Sequence, residues 1–333
     1  MLFRSGKPTN AIFGFARFLN KIIKEIKPDY LAVCFDSGKA TFRHSIYENY
    51  KATRKSMPDN MKEQIPIIKE MVKLYGIQVF EKEGFEADDL LATLANLSLK
   101  DVDKIYLVTP DKDACQLVTE CIYAHDIKKN LIITPEVVKE KYLLEPNQLI
   151  DYFALVGDSS DNIPGVNGIG PKKASQLISE WKNIENIYQN IDKINPEKLR
   201  NLLEIGRENA YLSKKLFIIN SSVEINFSIH LCHLPSEEPK ELISLWRKLG
   251  FNSLITEQIE PELEDNIENT EKKEIEIILP LNKIETKIAN SKIEIESLVE
   301  ILKKEKEIII EIALTGEHVW DYDISGIDRK SVV

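Results

Sequence analysis

Short apolar runs alternate with amphipathic stretches along the first 145 residues of the chain. Continuous apolar runs of this length are typical of strands buried on both faces of a parallel sheet, and they occur at 30–35, 77–80, 104–109 and 121–126. Apolar residues at helical spacing lie between these runs, at 10–27, 61–75, 87–99 and 136–143. Strands that alternate with helices predict an α/β domain with a mostly parallel sheet flanked by helices.

The pattern becomes helical from residue 146 and stays so to about residue 216. A strand-like run follows at 223–231, and a helix is predicted at 239–250. We therefore expect residues 1–145 to form the α/β region and residues 146–256 to form a mainly helical subdomain.

The charge of the chain is unevenly distributed, which its net value of −10 hides. Residues 1–57 contain eleven Lys or Arg against four acids, whereas residues 257–276 contain nine acids against two Lys. This distribution fits a basic binding surface and a solvated acidic linker, which we place at 257–283. Residues 284–333 then look like the start of another α/β unit, with a helix predicted at 294–305 ahead of a strand.

Composition places the chain in a broad class without assigning an activity. Apolar residues make up 43% and charged residues 29% of the 333 positions, the balance of an ordinary globular protein of about two domains. No apolar run approaches the ~20 residues of a membrane span, and the N-terminus lacks the apolar core of a signal peptide. The four Cys form no C-x-x-C pair. We expect a reduced, cytoplasmic, soluble monomer with no membrane partner.

Acidic residues cluster where the predicted strands and helices end, which is where sites form in open α/β sheets. The strand at 30–35 runs into Asp36, and the strand at 104–109 runs into Asp111 and Asp113. Two further groups stand at the start of a predicted helix and in a polar stretch beyond residue 156, and they are Glu86, Asp88, Asp89, Asp158 and Asp161.

Any one of these groups has an ordinary structural explanation, because acids complement the dipole at a helix N-terminus. Eight acids in four groups are harder to explain in this way, since they would repel one another if they converged. Hard oxygen ligands select Mg²⁺ or Mn²⁺, and a carboxylate site for two ions about 4 Å apart suits attack of water on a phosphodiester. No Ser/His/Asp or Cys/His grouping competes, because His44 is the one His near any of these acids in the sequence.

The stretch GDSSDNIPGVNGIGPKKA at 157–174 combines acids, glycines and lysines. Gly165 and Gly170 have the spacing of a Walker A loop, but Pro171 follows them and no apolar strand precedes the motif. A dinucleotide-binding loop fails for the same lack of a strand. Taken alone, the stretch is better explained as a polar surface loop than as a phosphate site.

Six motifs occur in the order, and at about the spacing, of one protein family. They are FDS at 35–37, FRHSIYENYKATR at 42–54, GFEADD at 84–89, TPDKD at 109–113, GDSSDN at 157–162 and PGVNGIGPKKA at 164–174. Over residues 7–256 the chain resembles the 5′→3′ exonuclease and flap endonuclease family, in particular the N-terminal domain of bacterial DNA polymerase I. The resemblance implies a PIN-like nuclease core in which all eight acids form a two-metal site.

The resemblance also accounts for the lysines and glycines that follow the acids at 157–174. In the family this part forms the hairpin of a helix–hairpin–helix, which holds the phosphate backbone of a duplex and can take a monovalent cation. The DNA-binding residues that the resemblance implies here are Gly165, Gly168, Gly170, Lys172 and Lys173.

Basic and aromatic residues are interleaved at 39–55, partly at intervals of four, and they are Arg43, Tyr47, Tyr50, Lys51, Arg54 and Lys55. Such a face fits a groove for single-stranded nucleic acid, although a solvated charged helix has the same pattern. In the family this region is the helical arch through which a 5′ flap passes. The resemblance implies that Lys51 and Arg54, together with Arg43, act at the scissile phosphate. The remaining three would contact the DNA.

The chain departs from the family pattern at both ends. The family's first strand, which carries a metal-binding aspartate of its own, should precede Gly6 and is absent. We interpret MLFRS and DRKSVV at the two ends as read-through of sequencing adapters around a gene fragment, and we expect such a fragment to cleave poorly. Residues 284–333 weakly resemble the start of a 3′→5′ exonuclease-like domain, but Glu311 and Ala313 stand where that domain has Asp-x-Glu.

Two hypotheses of different classes follow. The first is a structure-specific 5′ nuclease that uses two Mg²⁺ or Mn²⁺ ions on DNA with a 5′ flap or a nick, and on RNA primers paired with DNA. The second is a catalytically impaired fragment that binds flap or duplex DNA without cleaving it. Cleavage of a labelled 5′-flap substrate with and without Mg²⁺ distinguishes the two.

Overall fold

The computed structural model describes residues 8–235 and 240–255, and the backbone of residues 309–315 and 323–330. The chain divides into two compact units, Met1–Asn266 and Ile267–Val333. The linker predicted at 257–283 and the helix predicted at 294–305 lie outside the described residues.

Twelve α-helices are described in the first unit. In chain order, α1 to α12 are Asn10–Ile26, Phe42–Ile46, Asp59–Lys62, Ile65–Leu74, Ala87–Ser98, Pro135–Tyr142, Leu149–Val156, Pro171–Trp181, Ile184–Gln189, Glu197–Ile205, Arg207–Phe217 and Lys240–Leu249. Short 3₁₀ helices lie at Lys112–Leu117, Pro146–Gln148, Ile191–Lys193 and Ile229–Cys232. The helices expected near 10–27, 87–99, 136–143 and 239–250 are therefore present.

Five strands of the first unit form two sheets. They are β1 (Ala32–Phe35), β2 (Gln78–Glu81), β3 (Ile105–Val108), β4 (Ile122–Asp126) and β5 (Leu131–Ile133). Strand β1 pairs in parallel with β2, and β3 pairs in parallel with β4, as the continuous apolar runs predicted. Strand β5, which the sequence did not reveal, pairs antiparallel with β4. A groove of about 520 Å³ is lined by residues of α1, α5 and β3 and by Ala32 of β1.

Two apolar clusters support these sheets. In one, Ile12 and Leu19 of α1 pack with Met71 of α4 and Trp246 of α12, and all four side chains are buried. A second cluster joins α7, α8 and α11, with Phe153 stacked on Phe217 at a ring-centroid distance of 5.4 Å. These clusters fix the helices whose ends carry the candidate site residues.

The strand expected at 223–231 is not formed. Those residues run without regular structure until the 3₁₀ helix Ile229–Cys232, and Tyr30 pairs with His233 in an isolated antiparallel bridge. The prediction was wrong because the alternating apolar residues here pack singly, Val223 and Ile229 being buried without a strand partner in the described residues.

The second unit is described by two strands, β6 (Ile309–Thr315) and β7 (Asp323–Lys330). They pair antiparallel, and the strand expected in this part of the sequence is therefore present. Of the helices that the structure describes, none is long and apolar enough to cross a membrane.

Candidate active site

Asp36, Asp88 and Asp111 come from three different elements of the first unit. Asp36 follows β1, and its Oδ1 accepts a hydrogen bond of 2.7 Å from the backbone N–H of Ala87 at the start of α5. Asp88 lies in the first turn of that helix. Burial, together with the charges of Asp111, Glu86 and Asp36, raises the pKa of Asp88 to about 6. The carboxylates of the three elements therefore share one electrostatic environment.

Asp111 and Asp113 lie at the start of the 3₁₀ helix that follows β3. The Oδ1 of Asp111 accepts from the N–H of Asp113 at 2.9 Å and caps the helix. The Oδ1 of Asp113 is buried and has no hydrogen-bond partner among the described residues. Burial, together with the charges of Asp111, Asp158 and Asp161, raises the pKa of Asp113 to about 7.

Asp158 and Asp161 lie in a tight loop between α7 and the hairpin. The backbones of Asp158 and Ile163 exchange two hydrogen bonds, of 2.9 and 2.7 Å, which closes the loop. Gly157 and Gly165 flank it with positive φ, and a Cβ on Gly165 would come within 2.5 Å of the backbone nitrogen of Gly157. These two glycines are therefore required by the close approach of the chain to itself.

Lys and Arg side chains contact acids of the site. Lys51 Nζ lies 2.7 Å from Glu86 Oε1, and Arg54 Nε donates to Asp161 Oδ1 at 2.8 Å. Lys112 contacts Asp158. Burial of Asp158 acts to raise its pKa, but this contact and hydrogen bonds from Ser160 lower the pKa below its usual value. The structure thus places Lys51 and Arg54 beside acids of the candidate site.

Asp89 and Arg43 have a structural role that the sequence did not predict. The two nitrogens Nη1 and Nη2 of Arg43 donate to the two carboxylate oxygens of Asp89, each at 2.8 Å, and the Asp89 side chain has no exposed surface. The carboxylate also accepts from the N–H groups of Glu86 and Asn220. The sequence assigned Asp89 to metal binding and Arg43 to phosphate binding, whereas in the structure the two side chains bind each other.

The arch region is not the continuous helix that the interval of four residues indicated. Helix α2 ends at Ile46, the chain continues in turns, and Lys51 has a φ of +57°. Tyr50, predicted as a DNA contact, is 4% exposed, and its hydroxyl donates to Glu86 at 3.1 Å. Tyr47 is half-buried against the apolar cluster, and Lys55 is exposed.

The glycine-rich stretch after the acids connects α7 to α8 as a hairpin. Gly168 has a φ of +85°, and a Cβ there would come within 3.1 Å of Leu202. Gly170 stands at the N-cap position of α8, so the first N–H groups of that helix face the hairpin side. Lys172 is exposed in the first turn, and Lys173 Nζ donates to the carbonyl of Gly168 at 3.0 Å. The geometry matches the hairpin expected at 164–174.

The donor chemistry of the site fits a hard divalent cation. Its free groups are carboxylate oxygens, and the buried Oδ1 of Asp113 lacks a partner in the described residues. Among those residues, however, no three acidic, His or Cys side chains converge closely enough to form a ready metal cluster. Lys51, Arg54 and Lys112 instead neutralise Glu86, Asp161 and Asp158.

Two family models match consecutive parts of the chain. Residues 1–143 match the N-terminal resolvase-like domain of 5′-3′ exonucleases, and residues 144–240 match the C-terminal SAM fold of the same enzymes. The chain belongs to the 5′-3′ exonuclease family. A 5′-3′ exonuclease of Aquifex aeolicus is 38% identical over 252 residues, which cover 76% of this chain and 86% of the relative.

Other relatives of this chain are longer proteins. The DNA polymerase I of Bacillus caldotenax is 38% identical over 264 residues, covering 78% of this chain and 30% of the polymerase. That of Borreliella burgdorferi is 36% identical over 345 residues, covering 98% of this chain and 37% of the polymerase. The chain therefore spans about a third of the length of these polymerases.

The fold is also found in solved structures. The phage T5 D15 protein crystallised with metal ions has a TM-score of 0.56 at 23% identity, covering 63% of this chain and 82% of that one. A complex of the T5 D15 flap endonuclease with DNA and metal ions has a TM-score of 0.57, also at 23% identity, over 65% of this chain and 82% of that one. At this identity the likeness establishes the shared fold.

Sequence reasoning missed Lys112 and Ser213 as residues that shape the site. Lys112 stands between Asp111 and Asp113 in TPDKD, and this position between two candidate acids was the available signal. Ser213, fully buried on α11, accepts a hydrogen bond of 2.9 Å from the N–H of Gly165 and so anchors the hairpin. No local motif marks Ser213, because its partner lies 48 residues away.

Proposed function

We propose that this member of the 5′-3′ exonuclease family is a metal-dependent nuclease that hydrolyses phosphodiester bonds at 5′ flaps and nicks in DNA. The observation that carries the proposal is that Asp88 and Asp113, on two different elements, are both buried near further carboxylates. Their burial and the neighbouring charges together raise the pKa of each. Acids that repel one another in a fold are stabilised by a bound cation.

The residues that would hold divalent ions are seven of the eight acids named from the sequence, without Asp89. They are Asp36, Glu86, Asp88, Asp111, Asp113, Asp158 and Asp161. Two such ions, Mg²⁺ or Mn²⁺, would supply an activated water and stabilise the charge on the leaving oxygen. The Oδ1 of Asp113 supports this assignment. It is buried without a hydrogen-bond partner among the described residues, whereas buried polar atoms usually have one, so its lone pairs are free to bind a cation.

Lys51 and Arg54 would bind the phosphate at the cut. Both lie on acids of the site, at 2.7 Å from Glu86 and 2.8 Å from Asp161, and an ion that neutralises those acids would free the two cations. A cationic side chain released beside the acids attracts the phosphodiester and orients it. This gives the arch region a role in placing the substrate.

The hairpin would hold the duplex beside the cut. The first N–H groups of α8 follow Gly170 and, with Lys172, form the kind of positive helix end that binds phosphate. Because these groups meet the phosphate backbone, they would bind without regard to base sequence. Lys173 would also contact the phosphate backbone, and a monovalent cation bound at the hairpin would strengthen this contact.

The role in the cell follows from the relatives. Two of them are named DNA polymerase I, and from this we infer that the nuclease works in replication and repair, including removal of RNA primers, as part of such a polymerase. We infer further that it acts as a monomer in the cytoplasm, at the nucleoid.

A second candidate is a DNA-binding fragment that does not cleave. It is supported by the absence, within the described residues, of three acids close enough for a metal cluster, and by the cations that occupy Glu86, Asp158 and Asp161. The hairpin would keep its affinity for the duplex in this case.

A single substrate set separates the two candidates. Duplexes carrying a labelled 5′ flap, a labelled 3′ flap or a nick are incubated with the protein in Mg²⁺ and in EDTA. The nuclease releases the 5′ flap in Mg²⁺ alone and leaves the 3′ flap intact. Binding of all three substrates by fluorescence anisotropy, without product in Mg²⁺ or Mn²⁺, would establish the non-cleaving fragment instead.

A further inference from the structure

One backbone segment contacts elements that carry the candidate acids. It consists of residues 216–223, the end of α11 and the chain that follows, and it is called here the 216–223 segment. Arg43, which stands at the base of the arch, donates from Nε to the carbonyl of Leu216 and from Nη2 to that of Ile218, both at 2.9 Å. The arch base is therefore tied to this segment.

The same segment holds the start of α5. The N–H of Asn220 donates to Asp89 at 2.8 Å, and the N–H of Val223 donates to the hydroxyl of Thr93 at 3.1 Å. Both acceptors are buried on the helix whose first turn carries Asp88. Two hydrogen bonds one turn apart fix the helix in position and in rotation about its axis.

Gln116 ties the 3₁₀ helix Lys112–Leu117 to the segment. Its Nε2 donates to the carbonyl of Phe217 at 3.0 Å, and its Oε1 accepts from the N–H of Ile219 at 3.3 Å. One side-chain amide thus uses its donor and its acceptor on two residues of the same segment. Gln116 is not an acid, and it lies 101 and 103 residues from its partners, so no local pattern marks it.

The 3₁₀ helix needs such an anchor. It is six residues long, and 3₁₀ helices have poor hydrogen-bond geometry that does not hold a position by itself. Asp113 in this helix leaves its Oδ1 without a partner in the described residues, so that oxygen has no bond of its own to fix it. The position of Asp113 relative to Asp88 therefore depends on the 216–223 segment, to which both the 3₁₀ helix and α5 are hydrogen-bonded.

We propose that Gln116 is a positioning residue for the nuclease reaction: through the 216–223 segment it sets Asp111 and Asp113 against Asp88 on α5. The proposal rests on the proposed function. Groups that act together in a site must be held within about 0.5 Å, and a displacement of about 1 Å can cost about 100-fold in rate. In the described residues Gln116 has no hydrogen bond to any candidate acid, so its effect would be on turnover.

The test compares Gln116→Met with Gln64→Met. Methionine keeps the length of the side chain and removes both hydrogen-bonding groups. Gln64 is the matched control, because it is 3% exposed, accepts from the N–H of Ala11 at 2.9 Å and donates to the carbonyl of Asn60 at 2.9 Å, away from the acids. Both variants should melt at a lower temperature than the unchanged protein.

Turnover should separate the two variants. For 5′-flap cleavage in Mg²⁺ we expect Gln116→Met to lower kcat by about 10- to 100-fold with KM within about twofold, and Gln64→Met to leave kcat within about twofold. An unchanged kcat in Gln116→Met, or an equal loss in Gln64→Met, would overturn the proposal. Should Gln116→Met not fold, Thr93→Val provides a second variant. It removes the hydrogen bond between α5 and Val223 of the 216–223 segment, and it is expected to lower kcat in the same way.

Hydrogen exchange gives a measure that does not depend on cleavage. In EDTA, Gln116→Met should speed amide exchange at residues 84–92, which Gln116 does not contact, and Gln64→Met should not. If the unchanged protein fails to cleave while this exchange difference is present, the proposed function fails and the coupling stands. If the unchanged protein cleaves and neither exchange nor kcat responds to Gln116→Met, the positioning role fails alone.

Discussion

Arg43 and Asp89 form a bidentate ion pair with two N–O distances of 2.8 Å, and their side chains are 3% and 0% exposed. The pair joins the base of the arch to the acidic end of α5 and leaves Asp89 no accessible oxygen. Its two residues are thus part of the framework of the site, beside the acids that would meet metal ions.

Asp89→Asn should therefore destabilise the fold without removing a metal ligand. Breaking one side of a buried ion pair costs about 3–5 kcal/mol, because the other charge is left buried and unpaired. Urea unfolding should show this loss, whereas Lys139→Met, which breaks the exposed pair with Glu145, should change stability by less than about 1 kcal/mol. An Asp89→Asn protein of normal stability with weakened Mg²⁺ binding would instead make Asp89 a ligand.

Replacing Lys172 and Lys173 together by Ala should weaken duplex binding about equally for every sequence. Both would contact phosphates, which carry no base information. The slope of log affinity against log salt should become shallower by up to about two units, since each phosphate contact contributes about 0.9. The Lys139→Ala protein serves as control, and a slope that stays equal in the double variant and this control would assign the hairpin lysines to an ordinary surface loop.

His125 should make the protein less stable in mild acid. It is buried on β4, neither ring nitrogen has a hydrogen-bond partner in the described residues, and burial lowers its pKa. Glu25 and Asp126 oppose this shift in part, and Lys21 adds to it. The unfolded chain takes up the proton near pH 6.5, and the folded protein does so only at lower pH. The contribution of His125 to the free energy of unfolding should thus fall as pH drops through 6.5, then level off below the folded pKa. Asp88 and Asp113, whose pKa values are raised to about 6 and about 7, contribute with the opposite sign in this range.

Thermal or urea unfolding between pH 7.5 and 5 measures this effect. As pH falls across that range, His125→Phe should become increasingly more stable relative to the unchanged protein, whereas His230→Gln, at an exposed position, should show no such trend. If the His125→Phe protein keeps the full pH dependence, another group is responsible for it.

The sequence correctly predicted the elements that have a clear local pattern of apolar residues. Strands β1 and β3 and helix α5 lie where continuous apolar runs and helical spacing placed them, and the acids at their ends share one region. These features depend on periodicity and on chain order, both of which can be read along a sequence.

The predictions that failed concern residues whose partners lie far away along the chain. The spacing of Arg43, Tyr47 and Lys51 indicated a helix, but the pairing of Arg43 with Asp89, 46 residues away, and the backbone bond from Lys51 to Asp161 hold this region in turns. The acidic pair Asp88 and Asp89 looks uniform in sequence. Asp89 is buried against Arg43, whereas Asp88 faces the other acids. The rotation of α5 about its axis in the fold decides this difference.

The most direct test of the account is flap cleavage by Asp88→Asn beside the unchanged protein, at saturating Mg²⁺ and saturating labelled 5′-flap substrate. Loss of one carboxylate charge should lower turnover by at least about 100-fold, since even residues behind metal ligands can cost 10–100-fold. Flap affinity, measured by anisotropy, should stay within about threefold because binding rests on Lys and Arg contacts to phosphate. Near-normal turnover in Asp88→Asn would contradict the carboxylate site on which the proposed function depends.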